Sequence, residues 1–144
     1  MVAGLDEGVY RIVNVGTGQV LSLDSGDQVR VVGEPSVENG WQHWLLSSAP
    51  EFGEGIWFIA NGRTGTRLGL DNLVCEGAHV ECSGTPMGWQ IMTDETQPDC
   101  YRIAVWPASD LVLALSAPDV GTEQIGLTRY MPTSEIQQWH FQRP

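Results

Sequence analysis

The sequence predicts an all-β protein in which three similar units close into one barrel. Each unit opens with an aromatic residue in an apolar stretch and continues to a Leu-any-Leu segment. Each unit then ends at a tryptophan; these are Trp44, Trp89 and Trp139. Repeated units of this size are too short to bury separate cores, so we expect them to share a single one.

Within each unit the apolar residues recur with a period of two, which is typical of strands. Turn clusters rich in Gly, Ser, Asp and Pro separate these short runs. We predict about four strands per unit, near residues 9–14, 20–23, 28–33 and 43–47 in the first. Three such units give about twelve strands and negligible helix, and closure into a barrel removes the exposed sheet edges. We expect one domain over residues 1–144, with unit one near 8–48, unit two near 55–94 and unit three near 99–143.

The composition argues against several classes of partner. The net charge is −11, and the chain has no lysine, so every cation is an arginine. Such a charge repels phosphate backbones and anionic membranes, which argues against nucleic acid as a partner. No apolar run approaches the roughly 18 residues of a membrane span, so we expect no membrane insertion.

The N-terminal segment and the cysteines point to a cytoplasmic protein. Residues 1–7 have neither the basic start nor the apolar stretch of a secretory signal. The three cysteines, Cys75, Cys82 and Cys100, are odd in number and lack metal-ligand spacing, so we expect unpaired thiols.

No motif in the chain points to catalysis, a cofactor or a metal. The three histidines, His43, His79 and His140, are scattered, and no Cys-His or Ser-His spacing stands out. The glycine-rich stretches match no nucleotide-binding pattern. We therefore expect a non-catalytic protein without cofactor or metal.

The ends of the units carry a family resemblance. Gln42-His43-Trp44 and Gln137-Gln138-Trp139 match the Gln-any-Trp signature of the ricin B-type β-trefoil, and Met87-Gly88-Trp89 is a degenerate third copy. The chain most resembles the small cytosolic ricin B-like lectins of mushrooms. That resemblance implies binding of terminal galactose or N-acetylgalactosamine, no catalysis, frequent homodimers and a defensive role.

The chain departs from the family at its sugar-binding positions. The family places an aspartate between the two apolar residues of the second strand, and an asparagine before the signature glutamine. At the first position the three units have Ser22, Gly69 and Ala114, and at the second they have Trp41, Pro86 and Ile136. If a sugar site exists, other residues must form it.

Unit one offers the best candidate for such a site. A sugar site needs polar groups for the hydroxyls and an apolar face for the C–H surface of the ring. Asp24, Glu38 and Asn39 would supply the polar groups, and Trp41 the apolar face. Weaker candidates are Ser22 in unit one, Asp71 and Asn72 in unit two, and Tyr130 in unit three.

The alternative is a β-trefoil protease inhibitor. Residues 61–67 form a predicted exposed hairpin with two arginines, Arg63 and Arg67, suited to a trypsin-like pocket. A rigid loop on a stable barrel would bind tightly because it is preorganised.

Overall fold

The structure is a computed structural model that describes residues 5–37, 40–71, 73–83, 87–94, 97, 99–108, 110–115 and 123–144. These residues form twelve strands and three single-turn 3-10 helices, which confirms the all-β prediction. The strands are β1 (Gly8–Asn14), β2 (Val20–Leu23), β3 (Val31–Glu34), β4 (Trp44–Ser48), β5 (Ile56–Asn61), β6 (Arg67–Leu70), β7 (Val80–Ser83), β8 (Trp89–Thr93), β9 (Tyr101–Val105), β10 (Leu111–Leu115), β11 (Glu123–Arg129) and β12 (Trp139–Gln142). The 3-10 helices are Gly40–Gln42, Pro50–Phe52 and Glu135–Gln137.

The third strand of unit one begins later than predicted. The prediction started it near residue 28, whereas β3 starts at Val31. Gln28 has a left-handed backbone with φ of 59°, and the Asp27 carboxylate accepts hydrogen bonds from the backbone N–H groups of Val29 and Arg30. These features extend the turn by three residues, because a left-handed residue interrupts a strand.

Six strands close the barrel through antiparallel pairs in the cyclic order β1–β4–β5–β8–β9–β12. The hairpins β2–β3, β6–β7 and β10–β11 form a cap at one end. Each hairpin pairs with the next around the cap, through Arg30 with Glu81, His79 with Gly126, and Gln124 with Val32. The closed, three-fold pseudosymmetric arrangement matches the repeat in the sequence.

The three signature tryptophans fill the core in the same way. Each is fully buried and donates its indole N–H to the carbonyl of the first leucine in the Leu-any-Leu segment of its own unit. The distances are 2.8 Å for Trp44 to Leu21, 3.0 Å for Trp89 to Leu68 and 3.1 Å for Trp139 to Leu113. An unpaired indole N–H in this core would be costly, which explains why both parts of the motif recur together.

The signature glutamines anchor the loops that precede the tryptophans. Gln42 accepts a hydrogen bond from the Val37 N–H and donates one to the Pro35 carbonyl. Gln137 accepts from the Met131 N–H and donates to the Arg129 carbonyl. The glutamine of the motif is therefore a structural clamp in both units.

All three cysteines are free thiols, as the sequence predicted. Within the part of the chain that the structure describes, no helix is long and apolar enough to cross a membrane.

Candidate functional site

The outward face of the β2–β3 hairpin is closed at its centre. Ser22 lies opposite Val32, and both side chains are buried, Ser22 with only 1% of its surface exposed. Ser22 is the weaker candidate of unit one, and the structure gives a ligand no access to it. Any ligand on this face must therefore use the residues at the ends of the hairpin.

The turn end of the hairpin carries an ionic network around Arg30. Asp24 accepts hydrogen bonds from the Gly26 N–H at 2.8 Å and from the Arg30 guanidinium at 3.0 Å, one on each carboxylate oxygen. Asp27 accepts from the Arg30 Nε at 2.8 Å and from the backbone N–H groups of Val29 and Arg30. These donors lower the pKa of Asp27 to about 2, the Val29 N–H having the largest effect.

The network leaves Asp24 able to accept further hydrogen bonds. An ionised carboxylate has about four acceptor positions, and the described contacts of Asp24 use two of them. Its side chain is 27% exposed and that of Arg30 is 54% exposed. The turn therefore presents an acceptor and a donor side by side at the surface.

Glu34 is a polar residue of this hairpin that the sequence reasoning missed. It lies opposite Val20 on the face that also carries Asp24. Its pKa is raised, first by partial burial and then by the negative charge of Asp24. The signal in the sequence was the period of two, which places residues 32 and 34 on one face, but recognising it required the hairpin register.

Trp41 lies in the first 3-10 helix and contacts unit two. The Arg63 guanidinium stacks over the Trp41 ring at 4.9 Å, and the Trp41 backbone carbonyl accepts a hydrogen bond from the Asn61 side chain. The structure thus brings together Trp41 and Arg63, which the sequence assigned to two different functions. Glu38 and Asn39, the other unit-one candidates, lie outside the described residues.

The second arginine of the alternative inhibitory loop is also packed on an aromatic ring. The Arg67 guanidinium lies 4.5 Å from the centre of the Phe58 ring. Both arginines would have to leave these cation–π contacts to enter a protease pocket, at about 0.5–1 kcal/mol for each exposed contact. This arrangement does not favour the inhibitor hypothesis.

In unit two, Asp71 borders a cavity of about 390 Å³ in the β6–β7 hairpin. Its carboxylate accepts a hydrogen bond from the His79 N–H at 3.2 Å and lies 3.7 Å from the His79 ring nitrogen. Cys75 and Glu76 also line the cavity. Asp71 therefore occupies the position equivalent to Asp24, paired with a histidine in place of Arg30, while Asn72 lies outside the described residues.

In unit three, Tyr130 stacks on a buried arginine. The Arg102 guanidinium lies 4.4 Å from the centre of the Tyr130 ring and 3.1 Å from Asp94, and it donates a hydrogen bond to Gln137. Tyr130 itself is 46% exposed. The buried cation holds the ring at the surface, where it offers an apolar face.

The closed barrel, the cap of three hairpins and the three buried tryptophans define a β-trefoil. A family model described as a ricin-type β-trefoil lectin domain-like family matches residues 2–82. The chain belongs to this family. None of the curated proteins compared with the chain matches its sequence.

Solved structures with the same fold include several fungal lectins. The ricin B-like lectin of Macrolepiota procera, solved in complex with lactose, is 25% identical with a TM-score of 0.87, over 95% of this chain and 96% of that one. The Rhizoctonia solani agglutinin is 20% identical with a TM-score of 0.86 over the full length of both chains. The lectin of Polyporus squamosus is 17% identical with a TM-score of 0.78, over 98% of this chain and 50% of that one.

Proposed function

We propose that this protein is a non-catalytic lectin that binds glycans with terminal galactose or N-acetylgalactosamine through unit one. The ricin B-like fold is consistent with carbohydrate binding, and a similar protein was solved with lactose, a galactose-containing disaccharide. The observation that carries the choice of unit one is the Asp24–Arg30 pair, which combines an accessible acceptor with an accessible donor.

The chemistry of galactose suits this pair. Its axial hydroxyl can donate to the Asp24 carboxylate and its neighbouring hydroxyl can accept from Arg30. Trp41 would offer an apolar surface for the C–H face of the ring. Glu38 and Asn39, between β3 and Trp41 in the sequence, would supply further polar groups.

The remaining features of the proposal concern its setting. We place the protein in the cytosol, because three free thiols suit a reducing compartment. We propose a homodimer, because two copies of one strong site would allow glycans to be cross-linked and would raise avidity. A defensive role would follow from binding glycans on the surfaces of other organisms.

An array of immobilised glycans tests this function. The wild-type protein should bind structures that end in galactose or N-acetylgalactosamine and should not bind those that end in mannose. Absence of binding to every glycan on the array would overturn the proposal. Inhibition of trypsin by the wild-type chain, relieved by Arg63→Ala or Arg67→Ala, would replace it with the inhibitor function.

A further inference from the structure

A second cavity lies at the end of the barrel away from the hairpin cap. Its volume is about 430 Å³, within the range of small-molecule sites. Trp139, at the start of β12, donates a hydrogen bond to the Leu113 carbonyl in hairpin β10–β11 of the cap. From there β12 runs away from the cap. The end of β12 and the residues after it line the cavity together with the segments before β1 and β9.

Unit three differs from the other two units in several of the side chains that line this cavity. Counting from the signature tryptophans, unit three has a histidine, a phenylalanine and an arginine where the other units have uncharged, non-aromatic residues. The three sets of equivalent residues are His140, Leu45 and Gln90; Phe141, Leu46 and Ile91; and Arg143, Ser48 and Thr93. The fold that the three units share therefore does not by itself require these three side chains.

Asp99, which also lines the cavity, differs in residue type from the glycines at the equivalent position of the other two units. It lies two residues before the opening aromatic of unit three and has φ of 70°. Gly55 holds the equivalent place in unit two with φ of 75°, and Gly8 holds it in unit one, also with positive φ. Glycine adopts this conformation without steric cost, whereas an aspartate there is uncommon. Aspartate is one of the few non-glycine residues that tolerate this conformation, and here it places a carboxylate in the lining of the cavity.

The walls of the cavity are held in place by defined contacts. The Tyr10 hydroxyl donates to the Asp6 carbonyl at 2.7 Å and accepts from the Asp6 N–H at 3.2 Å. Phe141 packs edge-on between Tyr10 and Tyr101, with ring centres 5.7 and 5.4 Å apart. The Arg143 guanidinium covers Tyr10 at 4.4 Å. These contacts among described residues hold the aromatic walls of the recess in place.

The polar groups around the recess favour a ligand rich in hydroxyls. His140 Nδ1 lies 3.1 Å from the Asp99 carbonyl and 3.9 Å from Cys100 Sγ; in the neutral tautomer that donates from Nδ1 to the carbonyl, the other ring nitrogen is an acceptor. The carboxylates of Asp6 and Asp99 add acceptors, and Arg143 adds donors. Two carboxylates disfavour an anion, whereas sugar hydroxyls can donate to the acceptors and accept from the arginine.

We propose that this recess is a second saccharide site, for an uncharged mono- or disaccharide, at the barrel end opposite the cap. The inference rests on the proposed lectin function for the class of ligand, but it uses different residues. Two sites at opposite ends of the barrel would make a single chain bivalent without dimerisation.

The test is a titration of ¹⁵N-labelled protein followed by amide chemical shifts. The probes are lactose, methyl α-mannoside and methyl β-N-acetylglucosaminide, each up to about 50 mM, a range that detects millimolar binding. At least one sugar should shift the amides of residues 99–101 and 140–143. Shifts in residues 24–30 report on the unit-one site separately, so failure of one site is distinguishable from failure of the other.

Two substitutions restore the residues that other units have at the equivalent positions. Asp99→Gly should leave the melting temperature unchanged or raise it, because glycine favours the observed φ. It should nevertheless weaken binding at the recess by about tenfold or more. His140→Leu should also weaken sugar binding at the recess. Asp110→Asn, which removes an exposed carboxylate elsewhere, should leave that binding unchanged.

Three results would overturn the inference. One is that no sugar shifts the recess amides while residues 24–30 respond. Another is that choline shifts the recess amides and no sugar does. The third is that Asp99→Gly binds sugar at the recess as tightly as the wild-type chain.

Discussion

The core beneath the cap and the barrel end opposite the cap differ in how closely the three units resemble one another. In the core beneath the cap the units are near copies, with three tryptophans donating to three equivalent leucine carbonyls at 2.8, 3.0 and 3.1 Å. At the other end unit three alone has His140, Phe141 and Arg143. Positions that repeat carry the common core, and positions that break the repeat are where ligand recognition should be sought.

The polar networks of units one and three show the same contrast. Asp24 and Arg30 pair at the surface, where solvent and ligand reach both groups. Arg102 and Asp94 pair with only 3% of each side chain exposed. The exposed pair can exchange partners with a sugar, whereas the buried pair fixes the loop under Tyr130.

The largest effect should come from truncating the repeated core. Trp44→Ala, Trp89→Ala and Trp139→Ala should each lower the free energy of unfolding by about 3–5 kcal/mol, because each opens a large cavity and leaves a leucine carbonyl without its donor. Urea unfolding measures this. A cost below about 1 kcal/mol for any one of the three would show that the units do not share the core equally.

Breaking the buried pair should cost almost as much. Arg102→Ala should destabilise by about 3–5 kcal/mol, because it removes the only cation paired with Asp94 among the described contacts and leaves that buried charge to the neutral Gln138 amide. Arg129→Ala provides the matched control, since Arg129 pairs with Glu76 and Asp110 at the surface. That control should cost less than about 1 kcal/mol. Equal costs for the two variants would contradict the contrast between buried and exposed networks.

A smaller effect is expected at the signature glutamines. Gln42→Ala should cost about 1–3 kcal/mol, because the Val37 N–H and the Pro35 carbonyl lose their partners. Gln137→Ala should cost more than Gln42→Ala, since Gln137 also bonds to Thr128 and Arg102. Thermal unfolding of the two variants side by side would reveal a reversed order, which would refute this ranking.

Thiol reactivity separates the cysteines without affecting stability. Cys75 is exposed, whereas burial raises the pKa of Cys82 to about 12 and also raises that of Cys100. The thiolate is the reactive species, so at pH 8 Cys75 should react with iodoacetamide far faster than the other two. Peptide mapping identifies which cysteine has been modified. Rapid modification of Cys82 in the folded chain would contradict its burial.

The smallest effect is a pH dependence at the unit-one turn. Asp27 has a pKa lowered from 3.8 to about 2, so its contribution to stability is present above pH 3.8 and is lost as the pH falls towards 2. Asp27→Asn should therefore flatten the fall in melting temperature between these values. A curve parallel to that of the wild-type chain would argue against the Asp27–Arg30 contact.

The repeat and its period of two predicted the barrel, because they are local patterns that recur at matching positions. The strands of unit one fall within three residues of those predicted, and Trp44, Trp89 and Trp139 meet in the core as expected. The contacts of the candidate site were harder to predict from the sequence. The stacking of Arg63 on Trp41 and the contact of His140 with Asp99 join residues far apart in the chain, and no local spacing encodes them.

The most direct test of the lectin account is isothermal titration calorimetry with lactose on three proteins. The wild-type chain and Asp71→Asn should bind lactose with similar affinity. Asp24→Asn keeps an oxygen for the Gly26 N–H but loses the charge that faces Arg30 and the sugar, so its affinity should fall by at least about tenfold, or 1.4 kcal/mol. Equal binding by Asp24→Asn and the wild-type chain, with loss of binding in Asp71→Asn, would move the site to unit two and contradict the account.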